Sequence, residues 1–312
     1  MASPSCPNDP AYSVQPSLSG LREKTGLIGV NWRSATLPSS APSLSRIYVA
    51  AEQRRCGLDP RARIPDEIGD APTEVVRICS LALFTGGGVG LERRRLRPAH
   101  PGSSIGGAPG SGLAAGACTL GAVVSCAGAR HILTAAHPFR ARDRPVLQPA
   151  ASDGGAFPDD VIARVTRIIS AEPGRANLLD CALVGPVDRD AVSEQFLPPV
   201  GRLSSPIPIA VGDGVTVEKV GRGTGHSLGT VVDTNVTMQV SARDGSQCWM
   251  HEQILVRAAD GRPFAGPGDS GAVVVDSGSG RAAGLIIGGS EEVALVTPLA
   301  RVLAALEAEL VA

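Results

Sequence analysis

Aromatic residues make up only 3% of this 312-residue chain. Lysine is rarer still, present only at Lys24 and Lys219. With 38 glycines and 25 prolines in place of bulky side chains, the composition argues against long helices and for many short strands joined by turns. The formal net charge is −1, so no basic field calls for nucleic acid or an anionic membrane as a partner. No apolar run approaches the roughly 18 residues of a membrane span. Met1–Pro10 lacks both the basic and the apolar regions of a secretory signal, and the expected location is cytoplasmic. Seven cysteines (6, 56, 79, 118, 126, 181 and 248) are odd in number and scattered, with no CxxC pair and no Cys/His cluster of zinc spacing. They read as small core residues; a Cys118–Cys126 hairpin disulfide is not expected in a reducing compartment. No metal and no cofactor is implied.

What is present is a 43% hydrophobic chain, enough for real cores. Arginine replaces lysine almost throughout, and with the excess of Ala and Gly this reads as coding from a GC-rich, bacterial genome.

One stretch organises the chemistry. Pro267-Gly268-Asp269-Ser270-Gly271 precedes the apolar run Ala272–Val275. A serine hydroxyl is a poor nucleophile and needs a neighbouring base and a site for the oxyanion. Gly268 and Gly271 permit a sharp turn in which the N–H groups of Gly268 and Ser270 converge on one point as an oxyanion hole. Upstream, His131-Ile-Leu-Thr-Ala-Ala-His137 reads as a strand end that delivers one imidazole, a suitable general base. Between them, Asp180 is a single acid within the apolar run Leu178–Val184. A buried lone carboxylate is costly unless paired, and His137 is the partner it wants.

Taken in the order His137, Asp180, Ser270, separated by 43 and 90 residues, T-A-A-H, D-C-A-L and G-D-S-G resemble the motifs of trypsin-like (chymotrypsin-fold) serine peptidases. Three further runs, R-I-P-D-E-I-G-D-A-P-T-E-V-V (63–76), R-P-A-H-P-G-S-S-I-G (97–106) and A-G-A-C-T-L-G-A-V-V (115–124), are similar to an intracellular subgroup of that family that includes plant NARROW LEAF 1-type proteins and bacterial relatives. The chain departs from the subgroup in having Ala135-Ala136 where an asparagine-containing motif precedes the histidine. The resemblance implies a mainly β fold: a trypsin-like double β-barrel with a small N-terminal α+β module and a C-terminal helix.

On that reading residues 1–20 are disordered and 21–80 form the module. Residues 81–112 are a Gly/Arg-rich linker, 113–210 the first barrel with His137 and Asp180, and 211–312 the second barrel with Ser270, closed by an amphipathic helix over 298–310. The GGGVG run (86–90) lacks a phosphate-loop Lys-Ser/Thr and reads as a turn. Gly221–Gly225 reads as a hairpin, and the acids of 153–160 as a solvated loop. The resemblance further implies that Phe264, six residues before the nucleophile, lies at the base of the substrate pocket and that Ile287, Gly288 and Gly289 flank it. Without an acid at 264, the expected preference is for small or apolar side chains before the scissile bond. The implied function is a serine endopeptidase acting on a protein or peptide substrate, latent until a homo-oligomer or activating partner orders the Ser270 loop in one version. The alternative is a catalytically idle scaffold that binds protein. Asp269, if buried, needs a cationic or hydrogen-bonding partner, and no freed N-terminus is evident to supply it.

Overall fold

Short β-branched and alanine-rich runs, punctuated by Gly and Pro, set the architecture. The computed structural model describes residues 27–31, 45–50, 64–68, 71–83, 90–109, 116–139, 142, 144–242 and 244–311; the 86–90 turn and residues 1–20 lie largely or wholly outside these. In chain order the elements are β1 (Leu27–Asn31), β2 (Ser45–Ala50), β3 (Glu67–Ile68), β4 (Ala71–Ile78), β5 (Leu81–Leu83), β6 (Ser104–Gly107), β7 (Ala117–Thr119), β8 (Ala122–Cys126), β9 (Ala129–Thr134) and β10 (Pro145–Leu147). They continue with β11 (Val161–Ile169), β12 (Ala176–Asn177), β13 (Cys181–Val184), β14 (Thr216–Gly221), β15 (Gly225–Ser241), β16 (Gln247–Ala258), β17 (Val273–Asp276), β18 (Arg281–Gly289), β19 (Val293–Pro298), the helix α1 (Leu299–Leu306) and β20 (Ala308–Leu310).

Two curled sheets result, the mainly β double-barrel architecture implied by the sequence. One has eight strands in the order β20-β8-β9-β13-β11-β10-β6-β7. The other has twelve, running β12-β16-β19-β18-β17-β14-β15-β1-β2-β4-β3 with β5 held between β15 and β18, and a further β15–β16 pairing curls it on itself. Alternation along the strands explains how the sheets meet. Ile132, Val123, Ala182 and Val184 point to the interior of the eight-stranded sheet with Val146 and Val165. Their neighbours Leu133, Val124 and Leu183 point the other way, against Val273, Val275 and Leu285 of the second sheet and Leu299, Val302, Leu303 and Leu306 of α1. The shared cluster cements the two sheets together.

The helix is shorter than the 298–310 stripe suggests. Glu307 adopts a left-handed φ of 51° and its N–H caps the helix on Leu303 and Ala304, after which Ala308–Leu310 pair antiparallel with β8. Leu310 is therefore buried through a strand, because the outer edge of β8 would otherwise present unpaired backbone to solvent. The stretch 81–112 gives one strand to each sheet, β5 and β6. At the N-terminal side, β1 joins β15, and the buried Asp233 of β15 accepts hydrogen bonds from Asn31 and Tyr48, tying β1 and β2 to the sheet. Burial, then the carboxylate, raises the Tyr48 phenol well above its usual range.

Because α1 seals the seam between the sheets, Leu306→Ala is expected to cost about 2–5 kcal/mol, read as a lower urea midpoint with an unchanged m-value.

Candidate active site

Sheet register brings the first two residues together. β9 and β13 are antiparallel with Ala182 opposite Thr134, so the residue two before Ala182 falls beside the residues just beyond β9. These are Asp180 and the Ala136–His137 turn, closed by the Phe139 N–H donating to the Ala136 carbonyl at 2.8 Å. His137 Nδ1 and Asp180 Oδ2 form a short hydrogen bond, and the His137 backbone N–H reaches the same oxygen at 3.4 Å. Asp180 is 1% exposed, and its other oxygen, Oδ1, has no hydrogen-bond partner among the described residues. The carboxylate is thus committed to the imidazole, and as an acceptor it favours the tautomer protonated on Nδ1.

The Ser270 turn approaches this pair from the other sheet. Gly268 and Gly271 have φ of 104° and 88°, values that a side chain would strain. A Cβ on Gly271 would collide with Thr134 Oγ1 and lie 2.7 Å from the Thr119 carbonyl and 2.8 Å from the Ala135 nitrogen. The turn is therefore pressed against the strand end that carries His137. Thr119 is the clasp: its N–H donates to the Ser270 carbonyl at 2.9 Å, its hydroxyl to the Gly268 carbonyl at 2.8 Å, and its own carbonyl accepts from Thr134 Oγ1 at 2.8 Å. Among the described residues no backbone carbonyl takes the Gly268 N–H. The Ser270 hydroxyl lies 3.5 Å from the Ile287 carbonyl, and the residue is 0% exposed.

Asp269 finds its partner in Lys219. Both side chains are fully buried, with Nζ 3.1 Å from Oδ2. The carboxylate also accepts from the N–H groups of Gly223 (2.7 Å), Gly266 (2.9 Å) and Thr224 (3.3 Å) and from the Thr224 hydroxyl (2.8 Å). The Lys219 ammonium in turn donates to Thr224 Oγ1 and the Gly225 carbonyl. The glycine-rich turn 221–225 is the expected β14–β15 hairpin, and its amides form the carboxylate's cradle. Burial pushes the Lys219 amine below the ordinary lysine range, opposed by the charge and hydrogen bond of Asp269. The sequence signal was present: Lys219 shares an inward strand face with Val217, where a charge has no place unless paired.

A second buried pair, Arg222–Asp153, bridges the two sheets, with contacts of 2.6 and 2.7 Å. Ser104 Oγ donates to the same carboxylate at 2.5 Å. Burial raises the Asp153 carboxyl, but the Arg222 and Ser104 hydrogen bonds outweigh it and hold it below the usual carboxylate range. The 153–160 segment is solvated along Ala156–Asp159, as expected, but two of its acids turn inward. Asp153 is buried on Arg222, and Asp160 pairs with Arg95 at 2.6 Å.

Phe264 is 2% exposed and packs in the core with Val231, Val256 and Ala265. Ile287, Gly288 and Gly289 end β18, with the Ile287 carbonyl next to Ser270. Cys118 and Cys126 are free thiols, and burial pushes that of Cys118 up to about 12. His100, His131, His226 and His251 contact Gln195, Ala129, Glu218 and Thr237 respectively. No group of three or more His, Cys, Asp or Glu with metal-binding geometry occurs among the described residues, nor any helix long and apolar enough to cross a membrane.

No protein-family profile and no curated protein matches the sequence. Among solved structures, the chain is similar to Thermobifida fusca protease A, with 20% identity over 68% of this chain and 97% of that one and a TM-score of 0.49. It is likewise similar to Nocardiopsis protease, with 20% identity, 68% and 98% coverage and a TM-score of 0.49. A glutamic acid-specific serine protease gives 23%, 68% and 99%, and 0.48.

Removing the ammonium alone strands a buried carboxylate. Lys219→Met is expected to destabilise the fold by about 3–5 kcal/mol, while Lys219→Met with Asp269→Asn recovers part of that loss in the same urea titration. A pH effect follows from the depressed Lys219 value. Between the folded and unfolded values the unfolded chain binds more protons, so this group raises stability as pH rises. The ion pair itself is lost over that window. On account of this group, Tm measured by thermal melts should therefore not fall as pH rises toward the ordinary lysine range.

Proposed function

We propose that the protein is a serine endopeptidase of the trypsin-like kind, with Ser270 as nucleophile, His137 as general base and acid, and Asp180 as the group that orients the imidazole. The observation that carries this reading is the His137–Asp180 hydrogen bond just beyond the end of β9, the strand end against which the Gly268–Ser270–Gly271 turn packs at Thr134 Oγ1 and the Ala135 nitrogen, with Thr119 as the clasp.

The chemistry proceeds in two acyl transfers. Ser270 Oγ attacks a peptide carbonyl carbon while its proton passes to His137 Nε2. The oxyanion is met by the Gly268 and Ser270 N–H groups, each such donor worth about 3–4 kcal/mol in the transition state. His137 returns the proton to the departing amine as the C–N bond breaks. Water then repeats the sequence on the Ser270 ester and releases the acid. Asp180, hydrogen-bonded to Nδ1, stabilises the imidazolium. Phe264 in the core supplies no countercharge, which supports small or apolar side chains before the scissile bond.

Activation needs no freed N-terminus on this reading. Lys219 supplies from within the chain the cation that Asp269 requires, so the Ser270 turn is held as the chain folds. The three runs that resemble the intracellular, NARROW LEAF 1-like subgroup support a place within it. The first supplies β3 and most of β4, the second leads into and through most of β6, and the third spans β7 and the start of β8.

The full burial of Ser270 is the one observation that favours a latent state over an open one. Labelling with a small fluorophosphonate separates active, latent and idle. Labelling of the wild type, abolished by Ser270→Ala and His137→Ala and slowed by about 10⁴-fold in Asp180→Asn, is the expected result. Intact mass and circular dichroism of each variant should match a folded chain. A folded wild type that takes no label leaves the scaffold reading.

A further inference from the structure

The edge of β18 next to the nucleophile is already filled. Ser270 Oγ lies within reach of the Ile287 carbonyl, and the next two residues, Gly288 and Gly289, pair on one side with Leu295 and Ala294 of β19. On the other side they pair antiparallel with β5, Gly288 opposite Leu83 and Gly289 opposite Ala82. An extended peptide recognised by main-chain hydrogen bonds adds as a strand to a sheet edge. Here β5 has done so, and its direction carries Leu83 to one register position from Ile287.

Two details mark this as a closely fitted contact. A Cβ at Gly288 would stand 2.5 Å from the Ala82 carbonyl oxygen and 3.2 Å from Leu83 Cα, so β5 approaches only because residue 288 has no side chain. Leu81 and Leu83 are buried at 2% and 9%, among Ile287, Val240, Met238 and Leu295, while Ala82 between them faces solvent. The groove beside the nucleophile thus accepts an extended strand with branched apolar side chains at alternate positions.

We propose that β5 is an intramolecular ligand of the Gly288–Gly289 edge: the chain's own Leu81-Ala82-Leu83 occupies the strand position of an extended apolar peptide substrate and keeps such substrates out until it is displaced. This rests on the peptidase reading for its consequence, but the occupancy is testable without turnover. The strand contributes one exposed and two buried side chains, and its other edge is held by parallel pairing of Leu81 and Ala82 with Val240 and Ser241. Displacement therefore costs the peptide ladder on both sides and the burial of two leucines, a barrier that a competing peptide of the same sequence repays in kind.

The test uses the full chain in a Ser270→Ala background, so that binding is read without cleavage. Ala82→Pro removes a ladder N–H without touching the core; Leu83→Ser withdraws one apolar anchor. The probe is a dye-labelled, C-terminally amidated peptide bearing the Leu-Ala-Leu sequence, followed by fluorescence anisotropy. Hydrogen exchange of the 81–83 segment is measured in parallel. The expected result is faster exchange over 81–83, with that of β17 unchanged, and probe binding at least tenfold tighter in a folded variant than in the parent. Should Ala82→Pro fail to show a cooperative unfolding transition, Leu83→Ser decides. Unchanged or weaker probe binding despite faster exchange makes β5 a wall of the site rather than its occupant and overturns the proposal. So does exchange that stays slow in both variants, which would make β5 a fixed part of the sheet. Fluorophosphonate labelling of the Ser270 parent reports separately: its absence removes the peptidase reading and leaves the binding result standing.

Discussion

A buried ammonium against a buried carboxylate is expensive to desolvate and worthwhile only when every remaining lone pair and proton is satisfied. Lys219 and Asp269 meet that condition through Thr224, Gly223, Gly266 and Gly225. The contacts all belong to the β14–β15 hairpin or to the turn itself, so the pair locks two glycine-rich segments of one sheet together. Asp269 precedes Ser270 and follows Gly268. Its position fixes the direction of both flanking peptides, and without it the two positive-φ glycines would leave the turn free to sample other conformations. The rest of the site is built on that anchored turn.

Fixing the turn in its own sheet does not place it against the His137 strand end carried by the other. That second requirement falls to Thr119 and to Arg222–Asp153. Thr119 donates to both carbonyls that flank Asp269 and accepts from Thr134, while Arg222, next in chain to the end of β14, reaches across to Asp153. The Arg222 N–H also donates to the Thr119 hydroxyl at 3.0 Å, so the clasp and the bridge share a link. The His137–Asp180 pair needs no such device, since both members come from one sheet and their contact follows from the β9–β13 register. A site split between two sheets thus has one half set by strand pairing and the other by buried polar bonds.

That division explains what was legible in the amino-acid sequence. The apolar runs Ala272–Val275 and Leu178–Val184 fall on β17 and β13, and the chemical types at His137, Asp180 and Ser270 pointed to one site because each stands alone in an apolar or glycine-rich setting. Lys219 was overlooked since its meaning depends on a carboxylate 50 residues away, which no local period reveals. Asp153 looked like loop vocabulary, although its partner Arg222 draws it inside. The α1 boundary failed for a related reason. Leu310 continues the helical stripe, but the unpaired edge of β8 competes for the same residues and wins them as β20.

The N-terminal strands carry the same lesson into function. Read locally, 21–80 is a small α+β module, yet β1 pairs with β15 and the Asn31–Asp233–Tyr48 contacts bind β1 and β2 to the sheet that carries Ser270. Once β4 is seated on β2, the two residues between β4 and β5 leave little freedom in where β5 goes, and it lies between β15 and β18. Placement of β5 at Gly288–Gly289 is therefore a consequence of topology before it is one of affinity. A free peptide must find that edge from solution, whereas β5 is delivered to it by its own connection, at an effective concentration set by a two-residue link. An occupant held so closely is displaced by weakening its docking, not by modest excess of competitor, so the stability of the N-terminal strands and access to Ser270 are coupled through one backbone.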